Sequence, residues 1–250
     1  MLFDRSGHRA VLTAAGTELL REGRHLLHAA TELEARVKRI AAGVEPELHI
    51  AVSDLIAWSA LYPSLQTFYA QSFGTRLRIT TEVYGGCWDA LVSGRADLAL
   101  GAPNEGPAGG GYVTHPLGQV EFVFAIAPDH PLASYPEPLQ TIDIVKFRAI
   151  TAADSSRYLP TRSAGLFHGQ DVLSVPNLEA KLIAHQSGLG VGYLPRKIAL
   201  QEAAAGRLVI KSVTEPKPEI HLFMAWVSHH QGPALQWLVQ HWMQQSIRLS

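Results

Sequence analysis

The sequence predicts an α/β fold of two lobes that follows one long helix. From residue 46 onward, segments typical of strands and helices alternate in two successive runs joined by single extended segments, as in α/β layer architectures. Residues 13–45 instead repeat apolar side chains every seven positions, as a helix with an apolar seam does. With 250 residues the chain is also longer than most single compact domains. These observations together favour two lobes with a cleft between them.

Composition narrows the classes of function. Hydrophobic residues make up 47% of the chain, enough for a substantial core, and the net charge of -1 argues against a surface coated with positive charge for nucleic acid. Cys87 is the single cysteine, so no internal disulfide is expected. The sequence has no run of about 18 apolar residues and no N-terminal secretory pattern. We therefore expect a cytoplasmic protein without a membrane partner.

The first 45 residues divide into a turn region and a helix. Residues 1–12 contain the turn sequence DRSGHR, and Thr13 is the predicted N-cap of a helix over 13–45. Self-association through the narrow apolar seam of this helix is favoured, and a helix that lies on the core of its own domain is the alternative. The predicted dimerisation residues are Leu19, Gly23, Leu26, Ala30, Leu33, Val37 and Ile40.

The two β/α runs define the expected lobes. Residues 46–126 together with 228–250 form the expected lobe I, and residues 127–227 form the expected lobe II. The first helix is predicted over 54–73, with a kink or break at Pro63. The predicted strands cover residues 48–53, 76–83, 96–101, 119–127, 147–151, 171–175, 191–194, 208–213 and 220–227.

Candidate ligand-binding residues lie where the predicted strands end. Ligands of such folds sit outside the carboxyl ends of the strands and against helix N-termini, whose partial positive charge suits a small carboxylate. Ser53 and Thr151 would add hydroxyl groups, whereas Asp54 either caps its own helix or competes with an anionic ligand. The candidate ligand-binding residues are Ser53, Asp54, Leu55, Gly101, Ala102, Pro103, Phe124, Thr151, Ala152 and Ala153.

Aromatic residues near these strand ends raise a second hypothesis about the ligand. Trp58, Tyr84, Phe124 and Tyr158 could line a pocket for an aromatic or phenolic compound, and positions in the core are the alternative.

The sequence contains fragments that resemble enzyme motifs, but none has the neighbouring elements or spacing that the motif requires. The glycine-rich GLGVG at 188–192 follows a predicted helix and precedes a strand, the reverse of the order in a dinucleotide-binding turn. The sequence has no Gly-x-Ser-x-Gly nucleophile elbow, and the pair His229-His230 lacks the spacing of a helical metal site. We expect no enzyme activity, no metal and no cofactor.

Several motifs in order resemble the LysR-type transcriptional regulators. Leu2, Phe3 and Arg5 match the family's Leu-Phe-x-Arg wing, and LT at 12–13 with Gly16 matches the start of its linker helix. Further matching segments are LVSGRADLALG (91–101), IAPDHPLA (126–133) and GLGVGYLP (188–195).

The resemblance implies a periplasmic-binding-protein-like effector domain of two lobes behind a dimerising linker helix. It implies that a small-molecule effector binds in the cleft, that the protein is a homodimer or tetramer, and that the full-length parent binds promoter DNA. Residues 1–12 would be the wing of a winged helix-turn-helix whose recognition helix precedes Leu2, with Arg5, His8 and Arg9 on the DNA backbone. A solute-binding protein of the same fold is the alternative.

Overall fold

The computed structural model describes residues 2–4, 11–41, 43–228 and 232–245 of the chain. The chain starts with an antiparallel ribbon followed by a helix: β1 (Phe3–Asp4), β2 (Val11–Leu12) and α1 (Ala14–Ala41). The Thr13 hydroxyl accepts a hydrogen bond from the Gly16 amide at 3.1 Å, so the predicted N-cap is confirmed. A Cβ at Gly16 would lie 2.1 Å from the Leu2 carbonyl oxygen, so only glycine allows the ribbon to approach the helix this closely.

The apolar seam of α1 faces solvent. Leu19, Leu26, Leu33 and Val37 are each more than half exposed, and Leu26 reaches 71%. These side chains therefore do not lie on the core of their own domain. The side chain of Ile40 and the predicted DNA-contacting residues Arg5, His8 and Arg9 lie outside the described residues.

Lobe I is built on a five-stranded sheet with the strand order β4-β3-β5-β12-β6. The first three strands are parallel and the last two pair antiparallel. Large apolar residues on one face, among them Leu48, Phe68 and Trp242, form the main core, and Trp88 fills the other face. Its strands are β3 (Glu47–Ser53), β4 (Arg76–Glu82), β5 (Leu98–Pro103), β6 (Tyr112–Val120) and β12 (Ile220–Val227), and its helices are α2 (Trp58–Ala70), α3 (Gly86–Val92) and α7 (Pro233–Gln244).

Lobe II has a sheet of order β10-β7-β11 and a parallel pair β8-β9. A parallel bridge between Ala149 and Val191 brings the pair beside β10. Its core contains Phe124, Ile126, Leu132 and Tyr193. Its strands are β7 (Phe122–Ile126), β8 (Ala149–Ala152), β9 (Val172–Val175), β10 (Gly192–Pro195) and β11 (Val209–Lys211), and its helices are α4 (Thr141–Ile144), α5 (Leu178–Gln186) and α6 (Arg196–Ala204).

The sheets correct the expected lobe boundaries at 126/127 and 227/228. β7 pairs with β10 and β11 and so belongs to lobe II, whereas β12 pairs with β5 and β6 and so belongs to lobe I. The chain therefore crosses between lobes at Glu121 and again over residues 212–219. The side-chain pattern of a strand shows which face is buried but not which sheet it joins, because only hydrogen-bonded pairing decides that.

The first helix of lobe I also differs from its prediction. α2 begins at Trp58 rather than Asp54 and continues through Pro63 without a break. The first four residues of the predicted span, 54–57, are not helical and form a turn. In this turn the Ile56 amide donates to the Ser53 carbonyl at 3.0 Å. That turn lets Asp54 point away from α2. Among the described residues, no helix is long and apolar enough to span a bilayer.

Candidate functional site

A cavity lies between the two lobes, at the carboxyl ends of β3 and β5. Its atom-free space, including the mouth, is about 480 Å³. Lobe I contributes Ser53, Asp54, Leu55, Val83, Tyr84, Pro103 and Ile220 to its walls. Lobe II and the return crossover contribute Phe122, Ala152, Leu178, Lys181, Tyr193 and Lys217.

A wider opening adjoins this cavity. It shares Asp54 and Leu178 with the cavity, and Trp58 and Asn177 lie on its wall. Both spaces therefore meet at the N-terminus of α5.

Half of the predicted ligand-binding residues line the cavity. These are Ser53, Asp54, Leu55, Pro103 and Ala152. Thr151 stands behind the wall, where its hydroxyl oxygen lies 3.3 Å from that of Tyr84. The Tyr84 phenol faces the cavity, and burial raises its pKa.

The other predicted residues do not line the cavity. Gly101 and Ala102 are buried within β5, where a Cβ on Gly101 would meet the Ile56 and Ser53 side chains at 2.8 and 2.9 Å. Phe124 packs edge-on against Tyr193 in the core of lobe II, with ring centroids 5.4 Å apart.

Ala153 is exposed, and its amide donates to the Val175 carbonyl at 2.7 Å. Of the four aromatic residues considered for the ligand, Tyr84 lines the cavity, Trp58 lines the outer opening and Tyr158 is 75% exposed.

Asp54 contacts the opposite lobe, and of its two suggested roles the cap on its own helix is wrong. Instead of capping its own helix, its Oδ2 accepts a hydrogen bond at 2.9 Å from the amide of Leu178, the first residue of α5 in the opposite lobe. Asn177 caps the same helix end by accepting from the Ala180 amide at 2.8 Å. Burial raises the pKa of Asp54 to about 6, although the Leu178 hydrogen bond and the nearby lysines oppose the shift.

Two lysines face Asp54 across the cavity. Lys181, one turn into α5, is only 6% exposed. Lys217, on the return crossover, holds its Nζ 3.7 Å from the centroid of the Phe122 ring. Burial, together with repulsion from Lys217, lowers the pKa of Lys181 to about 7, and burial lowers the pKa of Lys217 to about 8.

Among the described residues, the Nζ of Lys181 has no hydrogen bond and no carboxylate within 4.0 Å. An ammonium group largely removed from water is costly without a counter-charge, so an anion in the cavity would stabilise it. Lys181 is not among the candidates that the sequence indicated. The signal was present, because Lys181 lies three residues after Leu178 and four before His185, on the inward stripe of α5.

A second cluster of charge joins the lobes beside the cavity. Asp89 of α3 is fully buried, and its Oδ1 accepts from the backbone amides of Tyr158 and Leu159 in lobe II at 2.7 Å each. Its Oδ2 accepts from Arg95 at 2.8 Å, and Arg95 also donates to Glu82 at 2.9 Å. Burial alone would raise the pKa of Asp89, but these hydrogen bonds outweigh it and lower the pKa to about 2.

The described residues contain no group of three or more His, Cys, Asp or Glu side chains that could hold a metal ion. Cys87 is buried, and burial raises its pKa well above the ordinary range. The cavity thus offers two ammonium groups, one carboxylate, one phenol and apolar walls. This set suits the recognition of a small molecule.

Two α/β lobes, two crossovers and a polar cavity at the crossing define the class of two-lobed ligand-binding domains. Residues 41–246 match the family of the LysR substrate binding domain. The chain is 39% identical over 236 residues to an uncharacterised HTH-type transcriptional regulator, YeeY, of Escherichia coli (strain K12), a match that covers 94% of this chain and 76% of that protein. The chain therefore belongs to the LysR family of transcriptional regulators.

Solved structures agree on the fold. The full-length virulence activator AphB of Vibrio cholerae has a TM-score of 0.60 at 14% identity, over 98% of this chain and 84% of that one. The effector-binding domain of QuiR, solved in complex with shikimate, has a TM-score of 0.58 at 16% identity, over 80% of this chain and 96% of that one.

The predicted family, the two-lobed fold and the function as the effector-sensing part of a LysR-type regulator are confirmed. The alternative of a solute-binding protein is not favoured, because the related proteins are transcriptional regulators.

Proposed function

We propose that the cavity between the lobes binds a small organic anion as the effector, and that Lys181 and Lys217 hold its negative charge. The observation that carries this proposal is the buried Lys181 ammonium without a partner among the described residues. A ligand carboxylate would supply the missing charge in a setting where water screens it little. Because Lys217 lines the same cavity, one anionic group could contact both ammonium groups.

Apolar side chains supply the rest of the contact. Leu55, Val83, Phe122, Tyr193 and Ile220 all line the cavity. Such walls favour a ligand with a hydrocarbon or aromatic body over inorganic ions, since the body would bury apolar surface against them.

Binding in this place would act on the arrangement of the lobes. The two faces of the cavity come from different lobes, so a ligand that touches both favours the arrangement in which both sets of contacts are made. To convert a state populated at about 1% into one at about 99%, the ligand must prefer that state by about 5.5 kcal/mol. A charged contact in lobe II together with contacts in lobe I meets this need better than contacts with one lobe.

A change in the arrangement of the lobes would be transmitted to the DNA-binding parts through α1. We infer that the exposed seam of Leu19, Leu26, Leu33 and Val37 packs against the same seam of a second copy, in a homodimer or a tetramer. The full-length parent would bind promoter DNA, and the change between lobes would reposition its DNA-binding parts.

Binding of the effector is tested by calorimetry and thermal shift with a panel of small carboxylates of aliphatic and aromatic body. Lys181→Met is expected to weaken the binding of any carboxylate that stabilises the wild type by at least tenfold, since a hydrogen bond to a charged group is lost. Lys146→Met, which removes an exposed lysine paired with Asp143, is the matched control and should bind as the wild type does. Unchanged affinity in Lys181→Met would show that the anion binds elsewhere.

Association through α1 is tested by light scattering over a range of concentrations. Leu26→Glu places a charge in the centre of the seam and is expected to shift the protein towards monomer. Arg21→Gln changes the net charge by the same amount on the outer face of α1, where Arg21 pairs with Glu18, and should leave the oligomer intact. A wild type that stays monomeric at every concentration contradicts the proposed dimer.

A further inference from the structure

Asp54 leaves part of its hydrogen-bonding capacity open towards the cavity. Its Oδ2 accepts from the Leu178 amide, its own backbone amide also interacts with the carboxylate, and no other described residue donates to it. A carboxylate has about four lone-pair sites, and an ionised one can only accept. The free oxygen of Asp54 therefore presents an acceptor to whatever occupies the cavity.

The two lysines do not fill this acceptor. Both attract the Asp54 carboxylate electrostatically, yet among the described residues neither brings its Nζ within 4.0 Å of a carboxylate oxygen of Asp54. All three side chains line the same cavity. A ligand that contacts the lysines and Asp54 together must carry a negatively charged acceptor for the lysines and a hydrogen-bond donor for Asp54.

The charge of the lining selects among such ligands. Two ammonium groups and one carboxylate leave a net charge of about one positive unit on the ionised lining. One ligand carboxylate neutralises this charge, whereas a second carboxylate would face Asp54 and be repelled. An amino acid would donate to Asp54 but would leave the lining uncompensated, so a hydroxyl group is the better donor.

We propose that the cavity selects monocarboxylates that carry a hydroxyl group, with Asp54 as the specificity-determining residue that accepts the hydroxyl hydrogen bond and rejects dicarboxylates. This inference rests on the proposed function, because it takes the ligand carboxylate to lie at Lys181 and Lys217. The Leu178 hydrogen bond fixes the Asp54 carboxyl group across the lobe interface, so the selecting group is held in position before the ligand arrives.

Three acids that differ only in the substituent on C2 separate the possibilities. Propanoate has the carboxylate alone, lactate adds a hydroxyl group on C2, and methylmalonate adds a second carboxylate there. The series 3-phenylpropanoate, 3-phenyllactate and benzylmalonate repeats the comparison with an aromatic body. Dissociation constants of both series are measured by calorimetry at about pH 7 and constant ionic strength.

The wild type is expected to bind the hydroxy acid about tenfold more tightly than the unsubstituted acid, the ratio for one hydrogen bond to a charged group, and the dicarboxylate most weakly. In Asp54→Asn the amide oxygen can keep the Leu178 hydrogen bond while the NH2 group faces the cavity as a donor. This variant is expected to reverse the order and bind the dicarboxylate more tightly than the hydroxy acid. Asp171→Asn, which changes an exposed carboxylate of lobe II, should keep the order of the wild type.

The outcomes separate the inference from the proposed function. If the wild type binds the three acids of a series equally, or if Asp54→Asn keeps the wild-type order, Asp54 does not select the ligand and the inference is wrong. Should that binding still be lost in Lys181→Met, the proposed function stands. If none of the six acids binds the wild type, both are contradicted.

Discussion

Two aspartates of lobe I, Asp54 and Asp89, each accept hydrogen bonds from backbone amides of lobe II, but their pKa values shift in opposite directions. Asp89 also binds Arg95, and its pKa falls to about 2. Asp54 has no ion pair among the described residues, and its pKa rises to about 6. The same kind of hydrogen bond between the lobes is thus part of a buried ion pair at Asp89, which we call the Asp89 joint, and part of a cavity wall at Asp54, where no cation pairs with the carboxylate among the described residues.

The largest expected effect comes from breaking the joint at Asp89. Asp89→Ala leaves Arg95 with Glu82 alone and leaves two backbone amides of lobe II without their acceptor. We expect the free energy of unfolding to fall by about 3–5 kcal/mol, as when one partner of a buried ion pair is removed. Denaturant titration measures it, and Asp171→Ala, at an exposed pair, should cost less than about 1 kcal/mol. A similar loss of unfolding free energy in both variants would show that Asp89 stabilises the fold no more than an exposed ion pair does.

The reverse effect is expected at Lys181. Because its pKa in the folded protein is about 7, below the ordinary lysine value of 10.5, the buried ammonium destabilises the fold fully below about pH 7, and this cost disappears as pH rises towards 10.5. Lys181→Met should therefore raise the melting temperature by roughly 5 °C at about pH 6. The gain should shrink towards about pH 10, whereas Lys146→Met should show no such trend. A fall in melting temperature at low pH would show that Lys181 is paired in solution.

The contributions of Asp54 and Asp89 to the free energy of unfolding should also change with pH in opposite directions. The pKa of Asp54 in the folded protein lies above the ordinary aspartate value of 3.8, so its carboxyl group contributes stability while protonated, and that contribution is lost as pH rises from about 4 through 6. Asp54→Asn should match the wild type near pH 4 and exceed it by about 1–2 kcal/mol above about pH 6. Chemical denaturation at several pH values measures the difference, and a constant difference across this range would contradict the raised pKa.

The smallest effect tests the edge of the Asp89 joint. The Ser155 hydroxyl of lobe II donates to Glu82 at 2.5 Å and accepts from the Val83 amide at 2.9 Å. Ser155→Ala should lower the free energy of unfolding by about 1–2 kcal/mol, the range for lost hydrogen bonds that include a charged partner. Ser134→Ala, which removes an exposed hydroxyl bonded only within its own turn, provides the control. Equal losses in the two variants would show that Ser155 adds nothing to the joint.

Much of the fold could be predicted from local signals. The N-cap at Thr13, the exposed seam of α1 and the alternation of strands and helices follow from side-chain period and turn chemistry, which act over a few residues. The exchange of β7 and β12 between the expected lobes could not be predicted, because strand pairing joins residues about 100 positions apart.

The site was only partly accessible to the same reasoning. Strand ends identified Ser53, Asp54 and Pro103, since these positions depend on the direction of parallel strands. Lys181 and Lys217 were missed, because neither stands at a strand end and a lysine is normally solvated.

The sequence by itself determined the family, the apolar seam and the presence of a cleft, because short local motifs and side-chain periods, repeated in order along the chain, indicate each of them. Only the tertiary structure decided that Asp54 binds the helix of the other lobe and that a buried lysine without a partner among the described residues stands opposite it. The physical reason is that burial and charge pairing depend on which surfaces the two lobes bring together. The chemistry of the cavity is therefore a property of the interface between the lobes.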